Sequence, residues 1–231
     1  RAASAHETCD ICAQGSYRLD GGSRIDIRQQ VAACVTGTRL YTPDRTALLA
    51  EWGTSSRLQT VLEVRNETTL TAARRLVVDR RHADTLCLNF ASAKNPGGGF
   101  LGGSQAQEES LARSSALYAS LLTKPEYYNA NRRCRSAFYT DHMILSPDVP
   151  VFRDDTGRLL AEPYPVSFLT APAVNASAVH ASRHAFIFLT NDMTEFPDEA
   201  LNNPGGAARS AKRRRVTDSL ARRARFQSAA P

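Results

Sequence analysis

Asn89-Phe90-Ala91-Ser92-Ala93-Lys94-Asn95-Pro96-Gly97-Gly98-Gly99-Phe100-Leu101-Gly102-Gly103-Ser104-Gln105-Ala106-Gln107-Glu108-Glu109 holds five of the thirteen glycines and ends in two adjacent carboxylates. A near-continuous apolar run, Thr85 to Phe90, enters it, the pattern of a strand buried on both faces. A helical stripe from Ala106 to Leu122 leaves it, apolar at 111, 112, 116, 117, 121 and 122. Strand, glycine loop and acid-headed helix in that order lead to the expectation of an enzyme. Amides unshielded by side chains can wrap an anion, and the following helix N-terminus adds its dipole. The spacing is neither that of a Walker loop nor of a dinucleotide fingerprint. A plain surface loop fits the glycines equally well, and two acids in a first helical turn are also explained by the dipole, worth about 0.3–1 kcal/mol.

Outward from this stretch, strands alternate with helices, which predicts an α/β layered domain. Strands are expected at Ile25–Ile27, Val61–Asn66, Phe138–Leu145, Val166–Thr170 and His184–Leu189, the third ended by Ser146-Pro147 and the fourth by Ala171-Pro172. Helices are expected over 4–15, closed by Gly15, from Asp44 to about Trp52, and over Thr69–Val78. Val31 to Gly37 reads as irregular or short-helical, and Asp20-Gly21-Gly22 and Asp154-Asp155-Thr156-Gly157 as turns. Residues 1–56 are expected to pack on a core at 57–190 as an accessory segment, and 191–231 to form a disordered tail.

The 231 residues suffice for a substantial core, and 42% hydrophobic with 23% charged content is that of an ordinary soluble protein. No apolar run approaches the roughly 20 residues that a membrane span needs. The net charge of +6 sits wholly in the tail, where 212–225 carry seven basic residues against Asp218. The body is therefore balanced, and duplex nucleic acid is an expected partner only through that run. The run Lys212–Arg215 also suits nuclear import, so a cytoplasmic or nuclear location is expected. Five scattered cysteines suggest a reducing compartment, and the lone Cys9–Cys12 pair lacks the second pair of a zinc site. No metal or cofactor is called for. The chain opens on Arg1, which suggests a piece of a longer protein.

Asn95-Pro96-Gly97-Gly98-Gly99 with Gln107-Glu108-Glu109 resembles the signature of poly(ADP-ribose) glycohydrolases of the microbial-type branch. The likeness extends to Thr38-Arg39-Leu40-Tyr41, Arg65-Asn66-Glu67-Thr68-Thr69, Tyr139-Thr140-Asp141-His142, Ser146-Pro147-Asp148-Val149-Pro150-Val151-Phe152 and Ser167-Phe168-Leu169-Thr170-Ala171-Pro172, about residues 5–180. It implies a macrodomain-like three-layer α/β/α fold with a mixed sheet, an N-terminal helical extension and a cleft for ADP-ribose. It implies Glu109 as catalytic acid and Glu108 as holder of the ribose hydroxyl beside the scissile ribose–ribose bond. Gly97, Gly98 and Gly99 would line the diphosphate, Asn95, Ala91 and Ser92 would contact the distal ribose, and Gln107 belongs to the substrate-binding set. Substrate and partner would be poly(ADP-ribose) and ADP-ribosylated proteins. A macrodomain-like module that binds ADP-ribose without turnover is the other reading. After Ala176 the family's second glycine loop has no counterpart, so the C-terminal part of the fold is expected to be incomplete. Asp141, His142, Tyr127 and Tyr128 are read as packing residues.

Overall fold

The structure, a computed structural model, describes residues 1–44, 61–134, 136 and 138–174. The helix expected from Asp44 to about Trp52, past Asp44 itself, the strand expected at 184–189 and the basic run lie outside them.

Helix α1 (Ala2–Gln14) ends on Gly15, whose φ of 66° makes the left-handed cap that its position predicted. β1 (Ser16–Arg18) and β2 (Arg24–Asp26) form a hairpin around the Asp20-Gly21-Gly22 turn. Helix α2 (Arg28–Gly37) is a full helix where an irregular or short-helical stretch was expected, because its buried Val31 and Cys34 are one helical turn apart. β3 (Arg39–Tyr41) follows. Helix α3 (Thr69–Arg74) opens on Thr68, whose hydroxyl accepts the Thr71 N–H, and it widens into a π-turn over Arg75–Asp79. β4 (Leu86–Ala91) leads into the glycine loop.

The helix expected from Ala106 to Leu122 is broken. It forms as α4 (Gln107–Ser114) and α5 (Leu117–Leu121), with Ser115 extended between them at φ −149°, ψ 176°. Ser115 instead makes a β-bridge to Val151, its hydroxyl donates to Leu111 O at 2.7 Å, and it accepts the Leu117 N–H at 3.2 Å. The stripe was legible; a pairing with a residue 36 positions later was not. Ser115→Ala should cost about 1–2 kcal/mol, since Ser115 is fully buried and both hydrogen bonds go. Urea unfolding with an unchanged m-value checks it.

Helix α6 (Pro125–Arg133) buries Tyr127 and Tyr128. β5 (Met143–Arg153) and β6 (Leu159–Pro172) form a long hairpin around the turn at Asp154–Gly157. One strand boundary expected from proline is corrected here. Ser146-Pro147 does not end β5, because a bulge absorbs the proline: Ser146 pairs with Phe168 but Val149 with Val166, one residue extra, with Asp148 at φ 46°. The other boundary holds: β6 ends at Ala171-Pro172, where both residues still pair with β4.

The sheet order is β3-β5-β6-β4, with β4 parallel to β6 and the other pairs antiparallel. The fold is thus the mixed α/β kind expected. Ile11, Tyr17, Ile27, Val31 and Cys34 share one apolar cluster with Leu111, Leu117, Phe152 and Phe168. A smaller cluster (Met143, Leu169 and Ala171 with Tyr41, Leu86 and Leu88) contains strand residues alone and marks the opposite side of the sheet. Two further expectations fail. Val61–Asn66 is not a strand: Val61, Leu62 and Val64 are 86–88% exposed and unpaired with any described strand. Alternation favours a strand only when an edge is there to receive it. Glu63 instead joins a surface ion cluster with Arg65, Arg75 and Arg80. β4 is not buried on both faces. It is the last strand of the described sheet, and Phe90 is 59% exposed.

All five cysteines are free thiols. Burial pushes the Cys12 thiol up to about 12, the behaviour of an inert packing residue rather than a nucleophile. Among the described residues no helix is long and apolar enough to cross a membrane.

Candidate active site

Parallel register places Asn89 beside Thr170, and the fully buried Asn89 donates from Nδ2 to Thr170 Oγ1 at 3.1 Å. One residue past β4 the chain turns on itself: the Ser92 hydroxyl accepts the amides of Lys94 and Asn95 at 3.3 and 3.1 Å. The next turn closes by Gly98 N–H to Asn95 O at 3.0 Å, with Gly97 and Gly98 both left-handed at φ 66° and 60°. Phe100, fully buried against Tyr118 at 4.6 Å between ring centroids, pins the loop to the body.

Three consecutive side chains of α4 fan out from this loop, about 100° apart as a helix requires. Gln107 turns to β4, accepting the Phe90 N–H at 2.8 Å and donating to Leu88 O at 2.7 Å. Glu108 is 3% exposed and accepts the Ser92 N–H at 2.7 Å, with Asn89 Nδ2 at 3.5 Å from its other oxygen. Glu109 is half-buried and accepts the Gly99 N–H at 3.0 Å. Gly98 is where both acids reach the loop. A Cβ there would sit 2.4 Å from Glu109 Oε1 and 3.2 Å from Glu108 Oε2.

Two amides of the loop are engaged within the protein: Gly98 N–H goes to Asn95 O and Gly99 N–H to Glu109, so the glycines hold an acid in place. Of the expected substrate contacts, Gly97, Gly98, Gly99, Asn95 and Ser92 lie on this one loop, with Asn95 exposed. Ala91 is buried, and its carbonyl accepts the Ala173 N–H. Asn89 and Thr170 were missed by sequence reading, and Tyr128 was read only as a packing residue. The first two meet only through strand register. Tyr128 is 1% exposed, its hydroxyl has no hydrogen-bond partner among the described residues, and it lies within the electrostatic reach of Glu108. A cavity of about 760 Å³ opens beside α4, lined by Thr69, Gln107, Ser110, Arg113 and Asp154, but neither Glu108 nor Glu109 lines it.

Burial pushes the Glu108 carboxyl up to about 7, opposed by the Ser92 amide and reinforced by the neighbouring Glu109 charge. An acid raised on folding binds its proton more tightly in the folded state. Its ionisation therefore costs stability as pH rises from the unfolded carboxyl value, near 4.5, through about 7. Glu108→Gln should gain stability relative to the parent across that window and hold the gain above it. Melting curves of both proteins between pH 4.5 and 8.5 check this, and a pH-independent difference would contradict it.

With the geometry in place, residues 5–154 match the family described as microbial-type PARG, catalytic domain. The chain is similar to a solved poly(ADP-ribose) glycohydrolase from Thermomonospora curvata at 52% identity and TM-score 0.74, over 77% of this chain and 65% of that one. The same enzyme bound to the inhibitor ADP-HPD matches at 52% identity and TM-score 0.71, over 77% and 64%. The Deinococcus radiodurans poly(ADP-ribose) glycohydrolase in complex with ADP-ribose matches at 48% identity and TM-score 0.62, over 71% and 64%. The chain thus spans about 64–65% of the length of these solved structures. No curated protein matches it.

Proposed function

We propose that this chain, which belongs to the microbial-type PARG catalytic-domain family, hydrolyses the ribose–ribose O-glycosidic bonds of poly(ADP-ribose) and releases ADP-ribose. The observation that carries the reading is a pair of adjacent carboxylates, one buried and one at the glycine turn, held by the Ser92 and Gly99 amides. Adjacent acids on one helical turn cannot flank a bond from two sides, so they divide the work. Glu109 donates its proton to the leaving ribose oxygen as the glycosidic C–O bond breaks and an oxocarbenium-like centre forms. It then takes a proton from the water that adds to that centre. Glu108 accepts a hydrogen bond from the ribose hydroxyl next to the bond. Gly97–Gly99, without side chains, let the diphosphate approach closely, and Asn95, Ala91 and Ser92 border the distal ribose. Poly(ADP-ribose) and ADP-ribosylated proteins are then the partners. The free thiols and the run at 212–225 support a cytoplasmic or nuclear location.

A second reading is that the chain binds ADP-ribose without turnover. Incubation of the purified chain with labelled, automodified polymer separates the two. Release of ADP-ribose supports hydrolysis; ADP-ribose binding by calorimetry with no release supports the binding module.

A further inference from the structure

We propose that Gln107 is a positioning residue whose side-chain amide takes the place of a neighbouring strand on β4 and so fixes the directions of Glu108 and Glu109. The inference rests on the reading of those two acids as the reacting pair. β4 is the last strand of the described sheet. Its odd-numbered residues face β6: Thr85 O and Ala91 O accept the Ser167 and Ala173 amides. With a period of two, Leu88 and Phe90 turn their backbone groups to the other edge. There Gln107 meets them as a strand residue would, with Nε2 donating to Leu88 O at 2.7 Å and Oε1 accepting the Phe90 N–H at 2.8 Å. The second Nε2 proton goes to Thr69 Oγ1 at 3.1 Å, on the first residue of α3.

Both donors of the amide are thereby engaged within the protein, and a substrate contact from them would require breaking a bond to β4 or to α3. The same three bonds set the rotation of the first turn of α4 about its axis. That rotation aims Glu108 at Ser92 and Asn89, and Glu109 at Gly99. A helix turned or lifted by an ångström would move both carboxylates together.

The test uses the full chain as Gln107→Ala and Gln107→Glu. In the absence of ligand, the Phe90 amide should exchange with solvent faster in Gln107→Ala than in the parent, because its acceptor is gone. Turnover of labelled poly(ADP-ribose) should fall about 10²-fold, the scale of an ångström of misplacement, while ADP-ribose affinity changes by less than about tenfold. In Gln107→Glu the carboxylate opposes Leu88 O at pH 8. A protonated carboxyl again offers one donor and one acceptor, so turnover and Phe90 protection should both recover, relative to the parent, on acidification toward pH 5. Unchanged Phe90 exchange would overturn the proposal. So would a loss of ADP-ribose affinity in step with turnover and without acid rescue, since that is how a direct substrate contact behaves. If the parent releases no ADP-ribose, the glycohydrolase reading fails, yet Phe90 exchange and its pH-dependent recovery in Gln107→Glu still decide the role of Gln107.

Discussion

Glu109→Gln is expected to lower kcat for ADP-ribose release by about 10²–10⁴-fold, the usual worth of a positioned general acid and base. The substitution keeps the shape of the side chain and an oxygen able to accept the Gly99 N–H, now held at 3.0 Å. It removes the proton that, in the proposed mechanism, passes to the leaving ribose oxygen. ADP-ribose affinity and melting temperature should therefore stay near those of the parent. Single-turnover release from labelled polymer, with calorimetric binding of ADP-ribose alongside, measures both. The comparison with Glu108→Gln is informative because burial pushes Glu108 up to about 7, so near neutrality Glu108 holds a proton for much of the time. Position decides against it as the donor. Glu108 is walled in by Ser92 and Asn89, whereas Glu109 stands half-buried at the glycine turn. A Glu109→Gln protein with a tenth or more of the parent's kcat would remove Glu109 from the acid role and leave Glu108 as the candidate.

Gly98→Ala should lower turnover by about 10²-fold, through displacement of the acid rather than loss of it. The added methyl would lie 2.4 Å from Glu109 Oε1, closer than any real contact allows, and 3.2 Å from Glu108 Oε2. The backbone adds its own cost. At φ 60° an L-residue with a Cβ is disfavoured by about 1–2 kcal/mol. Glu109 is the more exposed of the two and yields first, so it should leave the Gly99 amide. The variant should melt a few degrees below the parent and, on the proposed placement of substrate, bind ADP-ribose more weakly. Gly102→Ala is the control: nothing lies within 4 Å of a Cβ there, and it should behave as the parent does. Equal losses in both variants would mean general loop damage rather than a contact with the acids.

Much of this site was legible because its chemistry is local in sequence. Glycines followed by a first helical turn carrying Gln107-Glu108-Glu109 can be read as loop and acids with no knowledge of the rest of the chain. So can the Gly15 cap, the Asp20-Gly21-Gly22 turn and the Thr68 start of α3, which depend on backbone preferences over a few residues. Illegible features were those set by a partner far away along the chain. Ser115 leaves the helix because Val151 offers a bridge, and Pro147 stays within β5 because Asp148 takes up the bulge against Ser167. Val61–Asn66 has the alternation of a strand but no described strand to pair with.

The amino-acid sequence by itself determined the family and the α/β class, and it singled out the two candidate acids, because residue types and short spacings carry that information. Tertiary structure alone decided what each group of the loop is bonded to. Glycine amides that could have faced an anion hold Asn95 O and Glu109, and Gln107 spends its amide on β4. Glu108 is raised to about 7 by burial, against the hydrogen bonds from Ser92 and Asn89 that lower it. A hydrogen bond or a desolvated carboxyl depends on which surfaces meet, and that is a property of the folded chain.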